Sequence, residues 1–187
     1  MAHKQFIFGY GSLVSAKDIE RTLGHPPETL EQSTLRGWVR DWSIILDNST
    51  TTRRYETLPK REVPNFVAIL NIRIPRVGEL ATNPNGVLFP VSDTEMQKMD
   101  DREKHYSRIE ITEHLTYKPD GKVYAYVGLP KYMETPALRP KAILPKSYRD
   151  LVENGFSSFG NDSLEKFRES TIASDVPVIA TIHTSNV

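Results

Sequence analysis

Short apolar runs alternate with polar punctuation along the chain, and their period shifts between that of a strand and that of a helix. Residues 5–8, with Phe6-Ile7-Phe8, predict a buried first strand that ends at Gly9. A helical period follows: Ser15 offers a capping hydroxyl, Ile19 and Leu23 share a face, and Gly24 before His25-Pro26-Pro27 stops it. Residues 34–46 are rich in aromatic and β-branched types and read as one strand, or as two around Gly37. Residues 47–64 are polar and predict a long surface loop, either a lid over a site or an ordinary solvated excursion. Strand patterns return at 66–74 and 86–91. Ser92 and Glu95 then have the spacing of a capping box, and the helix they start turns Met96 and Met99 inward and runs to about Arg102. Strands at 107–117 and 122–127 are joined by Pro119-Asp120-Gly121, a hairpin signal. Ser147 and Asp162 each predict a helix cap, and residues 178–183 a last strand.

Strands dominate the middle of this pattern and helices are few and short. A doubly wound parallel sheet fits that poorly. The expected fold is mixed α/β: a small barrel-like sheet of mixed strands with flanking helices, in a single domain over residues 1–187. No internal repeat or low-complexity tract interrupts it.

Composition narrows the function. Lys plus Arg equals Asp plus Glu at 24 each, so the chain lacks the basic excess of a nucleic-acid or anionic-membrane surface. It has no cysteine, which removes disulfides, thiol catalysis and Cys-rich zinc sites. His3, His25, His105, His114 and His183 show no metal-ligand spacing. The apolar run at the N-terminus is too short for a signal segment, and none approaches a membrane span of about 20 residues. These features lead us to expect a cytoplasmic protein with no nucleic-acid or membrane partner, and they give a metal site no support. Oligomeric state is not legible.

Two stretches carry chemistry. In Phe8-Gly9-Tyr10-Gly11-Ser12-Leu13, glycines on either side of a tyrosine allow positive φ and close approach of a ligand to the backbone. The amides that follow would open a helix, where N–H donors favour a carboxylate or phosphate. No phosphate-loop or dinucleotide spacing is present, and Ser12 lacks the flanking glycines of a nucleophile elbow. A plain strand-to-helix turn explains the same residues equally well. The second stretch is Met99-Asp100-Asp101-Arg102-Glu103-Lys104-His105-Tyr106-Ser107-Arg108. Glu103 stands near the negative end of a helix with Asp100 and Asp101 nearby, influences that raise a carboxyl pKa toward that of a usable base. Arg102 and Lys104 act in the opposite direction, and a solvated charge cluster is the alternative. Arg53-Arg54 reads as a solvated surface pair.

In combination these stretches resemble the γ-glutamylcyclotransferase superfamily. Its members open with a strand running into Tyr-Gly-Ser-Leu or Tyr-Gly-Ser-Asn, matched here by Tyr10, Gly11, Ser12 and Leu13. They continue with a glycine-led strand, a short helix and a Leu-Asp-x-x-Glu motif, matched by Gly86 onward and by Met99-Asp100-Asp101-Arg102-Glu103, with Tyr106 and Arg108 after it. Further echoes are Gly37 to Arg40, Tyr126, and Ser147-Tyr148, so that the likeness extends over residues 5–170. Methionine replaces leucine at Met99, Glu103 and Tyr106 stand closer than in well-studied members, and segments 47–64 and 74–84 are longer than a minimal member needs. The resemblance implies a γ-glutamylcyclotransferase-like fold and release of 5-oxoproline from a small γ-glutamyl amine, amino acid or peptide, without a cofactor. It implies Glu103 as general base, substrate binding by Tyr10, Gly11, Ser12 and Leu13, and Tyr126 and Tyr148 as pocket-lining residues. The same fold without this activity, as another amide-cleaving enzyme or a ligand-binding module, is the alternative.

Overall fold

The computed structural model describes residues 4–51, 53–133 and 137–185. A five-stranded sheet runs in the order β2 (Glu31–Thr34), β6 (Asn85–Val91), β1 (Gln5–Gly9), β8 (Lys122–Gly128) and β7 (Tyr106–Glu110). Its central strand β1 is antiparallel to β6 and parallel to β8. A four-stranded sheet runs in the order β10 (Val178–Ile179), β9 (Ala142–Pro145), β5 (Phe66–Arg73) and β3 (Val39–Asp47). A separate ribbon pairs β4 (Arg53–Thr57) with β11 (Thr181–Ser185). Four helices flank the sheets: α1 (Ala16–Leu23), α2 (Asp93–Arg102), α3 (Lys146–Ser157) and α4 (Asn161–Glu169). The fold is therefore mixed α/β. Among the described residues no ladder closes the strands into the expected barrel.

The five-stranded sheet is covered on both faces, and the period of two along its strands explains how. Ile7 of β1 and Tyr124 and Tyr126 of β8 face a cluster with Ile19 and Leu23 of α1 and Met96 and Met99 of α2. Phe8, Val123 and Ala125, one position out of phase, face the larger core shared with Val67, Ala68, Ile69 and Leu70 of β5. Two polar contacts tie the sheets together across that core. The Tyr106 hydroxyl donates to the Leu70 carbonyl at 3.0 Å, and the Gly128 N–H donates to Asn71 Oδ1 at 2.8 Å.

Several local expectations hold. Ser15 caps α1 and Gly24 ends it in the left-handed region (φ 94°). Ser92 and Glu95 form the capping box of α2. Gly37, with φ 79°, turns the chain between β2 and β3. Other expectations fail for identifiable reasons. Pro145 and Gly160 occupy the caps expected at Ser147 and Asp162, and the Ser147 hydroxyl instead lies 2.8 Å from Thr181 Oγ1. The strand expected at 107–117 ends at Glu110, where a short 3₁₀ turn begins at Thr112. The last strand is divided, β10 joining the four-stranded sheet and β11 the ribbon. Residues 47–64 are not a structureless loop, because β4 lies within them.

Candidate active site

A cavity of about 400 Å³ lies where β1 ends, bounded by the starts of α1 and α3, the end of α2, β5, and the ribbon strand β4. Its lining includes all seven residues singled out from the sequence: Tyr10, Gly11, Ser12, Leu13, Glu103, Tyr126 and Tyr148. The two stretches, about 90 positions apart in the chain, thus share one cavity.

The 10–13 turn is built by close approach rather than by positive φ. Gly11 has φ −126°, and neither Gly9 nor Gly11 falls in the left-handed region. A Cβ on Gly9 would stand 2.3 Å from the Leu13 carbonyl oxygen, which folds back over it. A Cβ on Gly11 would meet the Tyr148 hydroxyl at 3.2 Å, so glycine there is what lets Tyr148 reach the turn. The expected helix start also moves. Ser12–Val14 form a 3₁₀ turn, and α1 begins only at Ala16. The first N–H groups of that turn have no intrahelical acceptor, but the dipole of α1 starts several residues later.

Glu103 is the C-terminal cap residue of α2, and its side chain keeps 16% of its exposure. Burial raises its carboxyl above the ordinary carboxylate value; Arg102 and Arg53 pull the other way, and Asp18 adds to the rise. Arg102 links the two stretches: its Nε is 3.1 Å from Glu103 Oε1 and its Nη2 donates to Ser12 Oγ at 2.9 Å. Its Nη1 donates to the Asp18 carbonyl at 3.3 Å and to Thr22 Oγ1 at 3.0 Å. Glu103 is accordingly paired, though with a guanidinium that is shared four ways.

Tyrosines make up much of the remaining wall. Tyr10 donates to the Tyr126 carbonyl at 2.6 Å, and Tyr126 donates to Asp100 Oδ1 at 2.8 Å, while the other oxygen, Oδ2, is 2.7 Å from Arg108 Nη1. Burial raises the hydroxyl pKa of Tyr10, Tyr106, Tyr126 and Tyr148 and brings Tyr55 up to about 12. All of these are neutral hydrogen-bonding groups near neutral pH. Beneath the turn, Arg40 is fully buried against the stacked rings of Phe156 and Phe167, its guanidinium carbon 5.1 and 4.5 Å from their centroids. It donates to the carbonyls of Asn85 at 2.6 Å and Tyr10 at 3.4 Å, and burial lowers it to about 9.

Sequence reasoning missed Arg53, Asp18 and Tyr55. The pair Arg53-Arg54 is not uniformly solvated: Arg54 is exposed, whereas Arg53 lines the cavity and pairs with Asp18. Alternation along β4 is the signal that could have found it, since Arg53 and Tyr55 share the inward face. His105 also lines the cavity, and burial lowers its pKa, with Lys104 and Lys131 adding to the effect.

This architecture is that of the γ-glutamylcyclotransferase-like fold. A solved γ-glutamyl cyclotransferase aligns over 94% of this chain and 93% of its own, with a TM-score of 0.56 at 13% identity. A human protein described as uncharacterized aligns over 93% and 94%, with a TM-score of 0.57 at 14% identity. A yeast γ-glutamyl cyclotransferase specific to glutathione aligns over 92% and 99%, with a TM-score of 0.52 at 12% identity. No family model matches the chain, and no curated protein does. Among the described residues no helix is long and apolar enough to cross a membrane.

Proposed function

We propose that the chain, acting as one domain, is a γ-glutamyl cyclotransferase with Glu103 as its general base. One observation carries the reading: Glu103, its carboxyl raised by burial, opens on the same space as the 10–13 turn. A carboxyl so raised can accept a proton and return it.

The chemistry needs little else. Held at the turn by its α-carboxylate, a γ-glutamyl amide has its own α-amine within reach of its γ-carbonyl. Glu103 takes one proton from the α-ammonium, and the freed amine attacks the γ-carbon to form the new C–N bond of a five-membered ring. The tetrahedral oxyanion meets the backbone N–H groups of the turn and the tyrosine hydroxyls. Glu103 then returns that proton to the leaving nitrogen, whose bond to the γ-carbon breaks, and the departing amine takes the remaining excess proton of the ring nitrogen. The products are 5-oxoproline and an ammonium. Closing the ring within one molecule means that holding the reactive conformer supplies most of the acceleration. Ser12, with the Arg102 guanidinium on its hydroxyl, is the natural seat for the α-carboxylate.

The Arg102–Glu103 pair supports the second reading, in which the fold binds a ligand or acts on another amide, because a paired carboxylate is a poorer base. Assaying 5-oxoproline release from a panel of γ-glutamyl amines, amino acids and peptides decides between them. Release that depends on Glu103 supports the cyclotransferase; silence across the panel at high enzyme concentration removes it.

A further inference from the structure

Resting on that reading, we infer that Arg53 makes this cavity selective for γ-glutamyl compounds whose leaving group carries a carboxylate, amino acids or peptides rather than simple amines. Three guanidinium groups, those of Arg21, Arg53 and Arg102, line the cavity against the carboxylates of Asp18 and Glu103. One positive charge is therefore uncompensated. The γ-glutamyl head of any substrate does not cancel it, since its ammonium and α-carboxylate balance each other. A carboxylate on the departing half does.

The excess lies at Asp18 rather than at Glu103. Arg102 answers Glu103 at 3.1 Å, while both Arg21 and Arg53 converge on the single carboxylate of Asp18. Of these two, Arg21 keeps 60% of its exposure and is screened by water, whereas Arg53 keeps 15% and faces the cavity. A guanidinium has five N–H donors in a fixed fork, enough for Asp18 and a second carboxylate together. Arg53 also bears electrostatically on Glu103 and on Tyr148, so a substrate carboxylate that reaches it shares the cavity with the proposed base.

The origin of Arg53 fits a role in specificity. It comes from β4, outside the two stretches that supply the turn and the proposed base. That strand is fastened to β11 with Tyr55 opposite His183 and Arg53 opposite Ser185. The turn follows β1 and the proposed base caps α2, whereas the ribbon supplies the charge. Selectivity is thereby separable from chemistry.

The test compares two substrates that differ only in the carboxylate, γ-glutamylalanine and γ-glutamylethylamine, by 5-oxoproline release from wild type, Arg53→Met, and the double variant D18N/R53M. The double variant removes both partners, so Asp18 is not left buried and uncompensated if the single variant folds poorly. Wild type should prefer γ-glutamylalanine in kcat/KM by about 10- to 100-fold, the usual worth of a hydrogen bond to a charged group. Both variants should bring that preference to within about threefold, and Arg53→Lys should retain part of it. Equal use of the two substrates by wild type, or an unchanged preference in the folded variants, overturns the inference and leaves the cyclotransferase reading standing. Conversion of neither substrate, nor of any other γ-glutamyl compound, overturns the cyclotransferase reading and this inference with it.

Discussion

The cavity contains two acid–arginine pairs, and they are placed at opposite ends of helices. Asp18 lies in the first turn of α1, where the helix dipole favours negative charge. Arg21 approaches it at 3.0 Å, Arg53 closes on its other oxygen, and its side chain keeps 2% of its exposure. Glu103 lies at the far end of α2, where the dipole opposes negative charge. It receives only the Nε of Arg102, whose other nitrogens serve Ser12, Thr22 and the Asp18 carbonyl. Two carboxylates in one cavity are thus given different work by how fully their charge is answered. Asp18 fastens the β4 ribbon to α1 through Arg53. Glu103 is raised toward the range where a proton can be taken up and released.

The largest expected effect comes from Glu103→Gln, which keeps the shape and removes the proton acceptor. Turnover should fall by ~10²–10⁴, the usual worth of a positioned acid–base group, with a much smaller change in substrate affinity. Stability should hold or rise, with a sign that depends on pH. A carboxyl raised in the folded state costs stability only once it must ionise. The gain of the Gln variant should therefore be absent below about pH 4, near the unfolded glutamate value. It should grow as pH rises through the folded value, and stay constant above it. Thermal midpoints and 5-oxoproline release measured on one preparation would read both. A Gln variant that is destabilised yet fully active where folded would make Glu103 a structural partner and erase the contrast with Asp18.

Asp18→Asn should show the opposite balance. It leaves the largely buried Arg53 without its carboxylate, and breaking such a pair costs about 3 kcal/mol. Urea unfolding should show that loss in full, while activity per folded molecule on an uncharged leaving group falls far less than in Glu103→Gln. An Asn variant of unchanged stability would mean that the ribbon is held by β-pairing and packing alone.

This contrast was half legible in the sequence. Glu103 and the 10–13 turn stood out because each is a local pattern, a charge run at a helix end and a glycine-bracketed turn. The Ser92–Glu95 box was legible for the same reason, its partners lying within one turn of helix, and Met96 and Met99 were legible from their spacing on one helix face. Arg53 was hidden because its strand is specified by pairing with β11, over 120 positions away, and its own neighbours are polar and turn-like. Asp18 is by itself an ordinary acid in a first helical turn and carries no local signal. Its second arginine comes from that same distant ribbon. The barrel expectation is likewise unconfirmed among the described residues, since strand content is local but sheet closure is a matter of long-range register.

The smallest expected effect sharpens the comparison most, because it asks how much of Glu103's behaviour depends on its one partner. Arg102→Gln removes the positive charge 3.1 Å from Glu103 Oε1 and the donor to Ser12 Oγ. Burial is the leading cause of Glu103's raised pKa and Arg102 the leading cause opposing it. The carboxyl should therefore move further up, and the acidic limb of the kcat/KM profile should shift to higher pH. At neutral pH the rate should change by about tenfold or less, since the base itself remains, while KM should rise as the Ser12 hydroxyl loses its anchor. Arg102→Lys keeps the charge and should leave the limb close to its wild-type position, even if the four-way geometry of the guanidinium is lost. If Arg102 serves only to fasten α2 to α1 through Thr22 and the Asp18 carbonyl, both variants should lose stability alike and neither should move the limb. A limb that moves with Gln and not with Lys would show that charge, rather than scaffolding, sets the proton affinity of Glu103.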